Sequence, residues 1–453
     1  MHNQDTSRKG IFVGDDGRNF IVPFALITSL FFLWGFCNGL IDLMDKHFQS
    51  TLSLTKAESS MVQFANYMGY FFMAIPAGLL AKRFGYKGGI LIGLTLIATG
   101  ALWFIPAIHI GKFWAFLMGL FVLATGMTCL ETIANPYATV LGSSKHASFR
   151  INLAQSCNGI GWILGPVLGG AFIMSKTTVS NTSNQSLFVP YMGIAIAVGI
   201  LIVVFSQSDI PDIQPEDDYH LDDAVPTEHP KSIWSHPHFV LAVVAQFFYV
   251  AAQTGIFSYF VNYITQDIPA LPLSLANSLP AGWAGLAAGG VYHVTDYGGS
   301  QLLSWGGFTM FLLGRFVGSA ILRFCSAHKT LAAFAVLAGI AALLVFLNLG
   351  WISVAALFAS FFLMSIMFPT IFSLGIHGLG TRSKIASSFI VMAIVGGAVM
   401  PFCMGTIADK YHSMTPGFIV PFACFIVVAL YAFTWPATSK SEGLVGASVN
   451  RGH

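Results

Sequence analysis

Glu131 is the side chain in this sequence best placed to do chemistry. It lies in an apolar run that starts near Phe113 and continues past Val140. A charged side chain at bilayer depth costs about 2.5 kcal/mol or more, so it normally faces a water-filled cavity or a partner. Asn135 stands one helical turn further on and points to the same face. Pro136 removes a backbone donor and loosens the helix beside that face. Such a carboxylate serves either as a proton or substrate site or as a structural acid paired with a buried Arg or hydroxyl. Asn38 and Asp42 repeat the same i,i+4 spacing in the first apolar run.

Other polar stripes accompany them. The second run carries Gln63, Asn66, Tyr67 and Tyr70; the fifth carries Asn152, Gln155 and Asn158; the seventh carries Gln246, Tyr249 and Gln253, then Asn262. Taken singly, such amides often only glue membrane helices together. Four helices carrying them together favour a shared cavity. Amide, carboxylate and aromatic groups around one cavity suit a polyhydroxylated, uncharged ligand, whose hydroxyls donate and accept and whose ring face stacks on Phe or Tyr.

Several chemistries are set aside. The sequence contains no Gly-x-x-x-x-Gly-Lys-[Ser/Thr] loop for ATP and no His-Glu-x-x-His or clustered Cys/His set for a metal. The six cysteines all fall in apolar segments, against both a disulfide framework and a metal site. No cofactor, metal, nucleic acid or obligate protein partner is implied, and an enzyme reading finds no support. The first 20 residues are polar and lack the pattern of a cleaved signal peptide.

The elements that must position these groups are membrane helices. Of 453 residues 55% are hydrophobic and 9% charged, whereas a soluble surface needs about 25% charged residues. Runs of about 20 apolar residues occur twelve times, near 22–44, 61–81, 88–107, 112–141, 148–174, 188–207, 238–265, 301–322, 329–349, 352–376, 385–408 and 416–436. Fifteen of the 21 Lys and Arg fall in segments on the side of the N-terminus and five (Lys46, Lys56, Lys112, Lys176, Lys410) on the other; Arg315 lies within the eighth span. That bias puts both termini in the cytoplasm. The acidic, proline-containing stretch 208–236 reads as a loosely ordered linker between residues 1–207 and 237–453. The outside segment of about 266–300 reads as an interfacial helix or a long loop.

The halves echo each other. Gly78 and Arg83-Phe84 recur 240 residues on as Gly318 and Arg323-Phe324; Pro136 and Gly142 recur 233 on as Pro369 and Gly375; Gly161, Pro166 and Gly170 recur 235 on as Gly396, Pro401 and Gly405. Three echoes in one order indicate an all-α membrane fold of two pseudo-symmetric six-helix bundles, which would bind substrate near the midplane and rock around it. At these offsets Glu131 corresponds to Met364. Pairing Phe31-Phe32 with Phe247-Phe248 sets Asp42 against Ser258. Both membrane acids then belong to the first half, the better candidate for ion coupling.

Twelve spans, the acidic linker and the loop Gly78-Leu79-Leu80-Ala81-Lys82-Arg83-Phe84-Gly85-Tyr86-Lys87 resemble the major facilitator superfamily, with Lys82 where that loop usually has Asp. A closer resemblance is to the fucose:proton symporter family of bacterial sugar permeases. It rests on Phe31-Phe32-Leu33-Trp34, Cys129-Leu130-Glu131-Thr132, Ala134-Asn135-Pro136, Asn152-Leu153-Ala154-Gln155 and Asn158. In the second half it rests on Ala252-Gln253-Thr254, Gly314-Arg315-Phe316, the run from Pro369 to Ile376 and Ser387-Ser388-Phe389-Ile390-Val391-Met392.

The resemblance implies that Asp42 and Glu131 couple sugar binding to protonation and that Gln155 and Asn158 supply sugar-binding amides. The fucose-transporting pattern has Asn-Asn-Leu-Asn-Asp at Asn38-Gly39-Leu40-Ile41-Asp42 and Gln-Tyr at Met367-Phe368, which leaves the sugar open. Glucose/galactose relatives tend to have Gln at position 131, so Glu131 argues for coupling. The expected protein is an inner-membrane symporter in a lipid bilayer, with Glu131 as proton carrier and sodium as the alternative ion. Asp42 is expected to contact the sugar, with Asn38, Gln63, Asn66, Tyr67, Asn135, Gln155, Asn158, Gln253 and Phe368 lining the site. Arg83 and Arg315 are expected in gating or structural roles. Uncoupled transport and a transporter-like sugar receptor are the alternatives.

Overall fold

The computed structural model describes residues 12, 18–141, 147–174, 184–210, 232–286, 290–322, 324–377, 379 and 383–441. Among these, twelve helical spans are long and apolar enough to cross a bilayer. The first half supplies Ile21–Thr51, Lys56–Ala81, Arg83–Ile110, Phe113–Asn135, Leu153–Ile173 and Phe188–Gln207. The second supplies Pro237–Gln266, Asp296–Leu322, Ala327–Phe346, Trp351–Ile376, Ser388–Tyr411 and Thr415–Ser439. Their outer surfaces are apolar: Phe72, Leu79 and Phe433 are each more than 60% exposed. Water would not tolerate so many such side chains, and hydrocarbon does.

Each span matches an apolar run of the sequence, with one consequential difference. The first span continues to Thr51 and takes in Asp45, Lys46 and His47, which hydropathy had assigned to a loop. These three are at most 9% exposed. Arg315 is therefore not the sole cation within a span, because Lys46 is another.

Two large hydrophobic cores form, beside a small cluster of Phe239, Leu379, Ala386 and Ile390. One is drawn from residues 20–210, the other from residues 242–432 with Leu43 added from the first span. The glycine echo has a packing cause. Gly161 of the fifth span lies against the backbone of Phe32 and Phe36, and Gly396 of the eleventh lies against the backbone of Phe247. A Cβ at either position would overlap a carbonyl, so both close helix crossings need glycine. Between the second and third spans, Gly85 adopts φ +68°, a left-handed conformation that reverses the chain. Gly142, Arg323 and the acidic stretch 211–231 lie outside the described residues.

The described chain enters at Arg18 and leaves at Ser441 on one face, called proximal here; the opposite face is distal. On the distal side, residues 266–300 hold a short helix, Leu273–Ser278, and an antiparallel strand pair, Ala284–Leu286 with Tyr292–Val294. The sequence reading allowed for the helix and not the hairpin, whose three-residue strands are too short to give a periodic signal.

Several spans break where polar groups gather. The first helix stops at Ile41 and restarts at Met44, leaving Asp42 at the interruption. The tenth stops at Met364 and restarts at Met367. Tyr249 Oη donates to the Met364 carbonyl at 3.0 Å, satisfying an acceptor that the broken helix frees. Irregular backbone at membrane depth survives where protein or a cavity supplies such partners.

Candidate functional site

The first half presents a connected polar face. Trp34 Nε1 donates to Tyr70 Oη at 2.6 Å, and Asn38 Nδ2 donates to the Trp34 carbonyl at 3.0 Å. Tyr67 and Tyr70 are both within electrostatic reach of Glu131. Glu131 is half-buried, and its carboxylate has no hydrogen bond or ion pair to any described residue. Across from it, Gln155 Nε2 donates to Asn135 Oδ1 at 3.2 Å, tying the fifth span to the fourth. No described Arg or hydroxyl clamps Glu131 as a structural acid would be clamped.

The second half offers a different lining. Phe368 stands edge-on to Tyr249, with ring centroids 6.4 Å apart, and both lie beside the break in the tenth span. Arg315 stacks on Phe311 at 4.9 Å. Gln253 is half-buried, with no hydrogen bond to a described residue. Gln246 is fully buried with both amide atoms unpartnered. An unsatisfied buried polar group costs about 1–3 kcal/mol. Gln246 is thus the amide of the seventh span with the most to gain from a ligand or water.

Some expected site residues serve packing. Asn158 Nδ2 donates to the Phe31 carbonyl at 3.1 Å, so in this conformation its amide glues the fifth span to the first. The side chain of Asn152 lies outside the described part. Arg83 is exposed and rests over the adjacent Phe84 ring at 5.4 Å. Of the positions where the chain departs from the fucose-transporting pattern, Gly39, Ile41 and Met367 are buried. Gly39 packs against the Trp162 backbone and Pro166. Phe368 is half-buried. All three buried positions serve packing in this conformation.

Distal to the cavity the two halves meet. Asp409 accepts the backbone N–H groups of Lys56 and Ala57 at 2.9 and 2.8 Å. Tyr259 Oη donates to the Lys56 carbonyl at 2.7 Å, and Asn262 Nδ2 to Gln49 Oε1 at 2.6 Å. Gln301 Nε2 donates to the Val167 carbonyl at 3.1 Å, and Lys46 pairs with Asp296 at 3.4 Å. Nearer the middle, Thr254 donates to Tyr67 at 2.9 Å. These contacts close the distal side while Glu131 stays accessible.

Behind that seal lies a group that hydropathy hid. Gln63 Nε2 donates to Asp42 Oδ1 and to Asp45 Oδ2, each at 3.3 Å. Asp42 is 5% exposed and Asp45 0%. In this conformation Asp42 is buried. Asp45 went unnoticed because the run of apolar residues ended before it, although its spacing of three from Asp42 puts both on one face. Asn66, buried beside them on the second span, keeps its Oδ1 unpartnered. Asp409, Tyr259 and Thr254 also carried no signal, since each gains its meaning only from the opposite half. Arg150, fully buried, donates Nε to the Ala138 carbonyl at 3.2 Å and holds the fifth helix to the fourth.

Comparison with known proteins fits this geometry. The sequence profile of the Major Facilitator Superfamily matches residues 24–374. The L-fucose-proton symporter of Escherichia coli (strain K12) is 35% identical over 432 residues, covering 92% of this chain and 93% of that protein. The glucose/galactose transporter of Brucella abortus biovar 1 (strain 9-941) is 34% identical over 433 residues, covering 95% and 96%. The crystal structure of the transporter FucP in the outward conformation matches with TM-score 0.64 and 35% identity, covering 92% of this chain and 99% of that one.

Proposed function

The chain belongs to the major facilitator superfamily, and we propose that it is a proton-coupled symporter taking up a hexose or deoxyhexose by alternating access. It is a multi-pass inner-membrane protein and not an enzyme. The proximal face, which carries most of the Lys and Arg, is cytoplasmic, and the conformation described is the inward-facing one.

The observation that carries this reading is Glu131, an acid with no hydrogen-bond or ion-pair partner among the described residues, on a polar face of Asn135, Gln155, Tyr67 and Tyr70. An unpaired carboxylate in such a place is stable when protonated and releases its proton when water reaches it. With the distal side shut, water reaches Glu131 from the cytoplasm only, so discharge follows closure. The sugar binds between this face and Phe368, Gln253 and Gln246, whose free amide and ring surfaces suit hydroxyls and a pyranose face. Asp42 meets the sugar only when the distal side is open, because closure buries it behind Gln63. Gating falls to the distal contacts, with Arg315 bracing the second half through Phe311.

The test is a panel of sugars added to energy-depleted cells expressing the protein. A transported sugar should alkalinise the medium. Uptake with no alkalinisation, or dependent on sodium, overturns proton coupling; binding with no counterflow in liposomes points to a receptor.

A further inference from the structure

We propose that Asp45, with Asp42, Gln63 and Ser258, forms a second proton-binding site: a proton taken from outside is held in the distal gate while it is closed and returns outside when it opens. The inference rests on the inward-facing, alternating-access reading above and adds Asp45, which that reading does not use.

Asp45 and Asp42 are both buried and share one amide nitrogen, that of Gln63. Their remaining oxygens, Asp45 Oδ1 and Asp42 Oδ2, have no hydrogen-bond partner. From the seventh span Ser258 faces Asp45, fully buried, and its Oγ is also unpartnered. Other charged and titratable groups surround them. Lys46 on the same helix is turned outward to Asp296 of the eighth span, and His47 follows it. Tyr67 of the second span neighbours Asp42; Tyr259 of the seventh lies near Asp45 and near Asp409 of the eleventh.

Two carboxylates cannot both stay ionised at such a dry, shared site. The Ser258 hydroxyl both donates and accepts and can bond Asp45 in either protonation state, so it is burial beneath the opposite half that favours the protonated carboxyl. Ser258 belongs to the other half, so this contact exists only when the halves meet. Closure of the distal gate and protonation of Asp45 are therefore linked. Parting of the distal contacts exposes Asp45 to the outside, where its proton leaves.

The experiment measures the distance between spin labels on exposed distal positions, Lys112→Cys and Leu347→Cys, with the exposed Cys325 replaced by Ser, in lipid nanodiscs. In the parent, acid pH should shorten this distance and alkaline pH lengthen it. The response should persist in Glu131→Gln and be lost in Asp45→Asn, which should stay closed throughout. An unaltered pH response in Asp45→Asn overturns the proposal. So does loss of the response in Glu131→Gln, or a parent that responds to sodium and not to pH. If Asp45→Asn fails to fold, Ser258→Ala decides: loss of the hydroxyl that faces Asp45 should shift the pH midpoint of closure, and an unchanged midpoint overturns the proposal. Failure of proton-driven uptake would appear in transport assays and leave these distances unaffected.

Discussion

The carboxylate of Asp409 caps the second span from the opposite half: Oδ1 accepts the N–H of Lys56 at 2.9 Å and Oδ2 that of Ala57 at 2.8 Å. Helix N-termini leave such donors unpaired and carry a partial positive charge, so an anion there is doubly favoured. The seal between halves thus depends on a side chain that reads backbone and not sequence.

Breaking this cap should favour the outward-open state. Hydrogen bonds to a charged group are worth about 1.5–3 kcal/mol, so Asp409→Ala should shift the equilibrium by roughly tenfold or more. Asp409→Asn, with one carbonyl acceptor left, should fall between. Longer distances between labels at Lys112 and Leu347 in both variants, in that order, are the expected outcome; unchanged distances would show that the cap does not hold the gate.

Coupling and translocation should separate at Glu131. Glu131→Gln mimics the protonated state while keeping a similar shape, so the loaded carrier should still rock between its faces. Counterflow should survive, and accumulation against a gradient should vanish. Asp42→Asn should lower sugar affinity as well. Proteoliposomes assayed for both activities decide; concentration of sugar by Glu131→Gln under an imposed proton gradient would remove it as the coupling site.

Phe368 and Met367 should part company although they are adjacent. Phe368→Tyr adds a hydroxyl at a half-buried position and should change apparent sugar affinity by about fivefold, the worth of one hydrogen bond of about 1 kcal/mol. Met367→Gln buries an amide where Met367 is 0% exposed and should cost about 1–3 kcal/mol of stability. Competition binding and thermal melting of the two variants check this. An affinity change from Met367→Gln with no melting shift contradicts the assignment. Exclusive, tight L-fucose binding by the parent would also contradict it, because the lining lacks the polar groups of the fucose-transporting pattern.

Arg315 tests whether a flat cation is needed. Its guanidinium stacks on Phe311 at 4.9 Å, a contact worth about 0.5–2 kcal/mol. Lys has no plane to stack and no fork of donors. Arg315→Lys should slow transport and lower thermal stability modestly. Normal values for both would show that a point charge suffices.

The twelve spans, the two halves and the polar stripes were legible in the sequence because a bilayer imposes length and apolarity on every helix independently of its neighbours. Glu131 and Asn135 could be placed together for the same reason: helical spacing is local, and a carboxylate in an apolar run stands out. The gate was not legible. Ser258 is unremarkable in sequence until the halves close and bring it to Asp45, and Asp409 looks like a loop residue until it meets Lys56. Asp45 and Lys46 look solvated by composition, yet each is at most 9% exposed. Asn158 shows the converse, an amide whose spacing suited a ligand and whose hydrogen bond goes to Phe31. Hydropathy and periodicity report what one helix does in lipid. Which polar group is satisfied, and by whom, depends on contacts between helices far apart in the chain, and those exist only once the two halves pack.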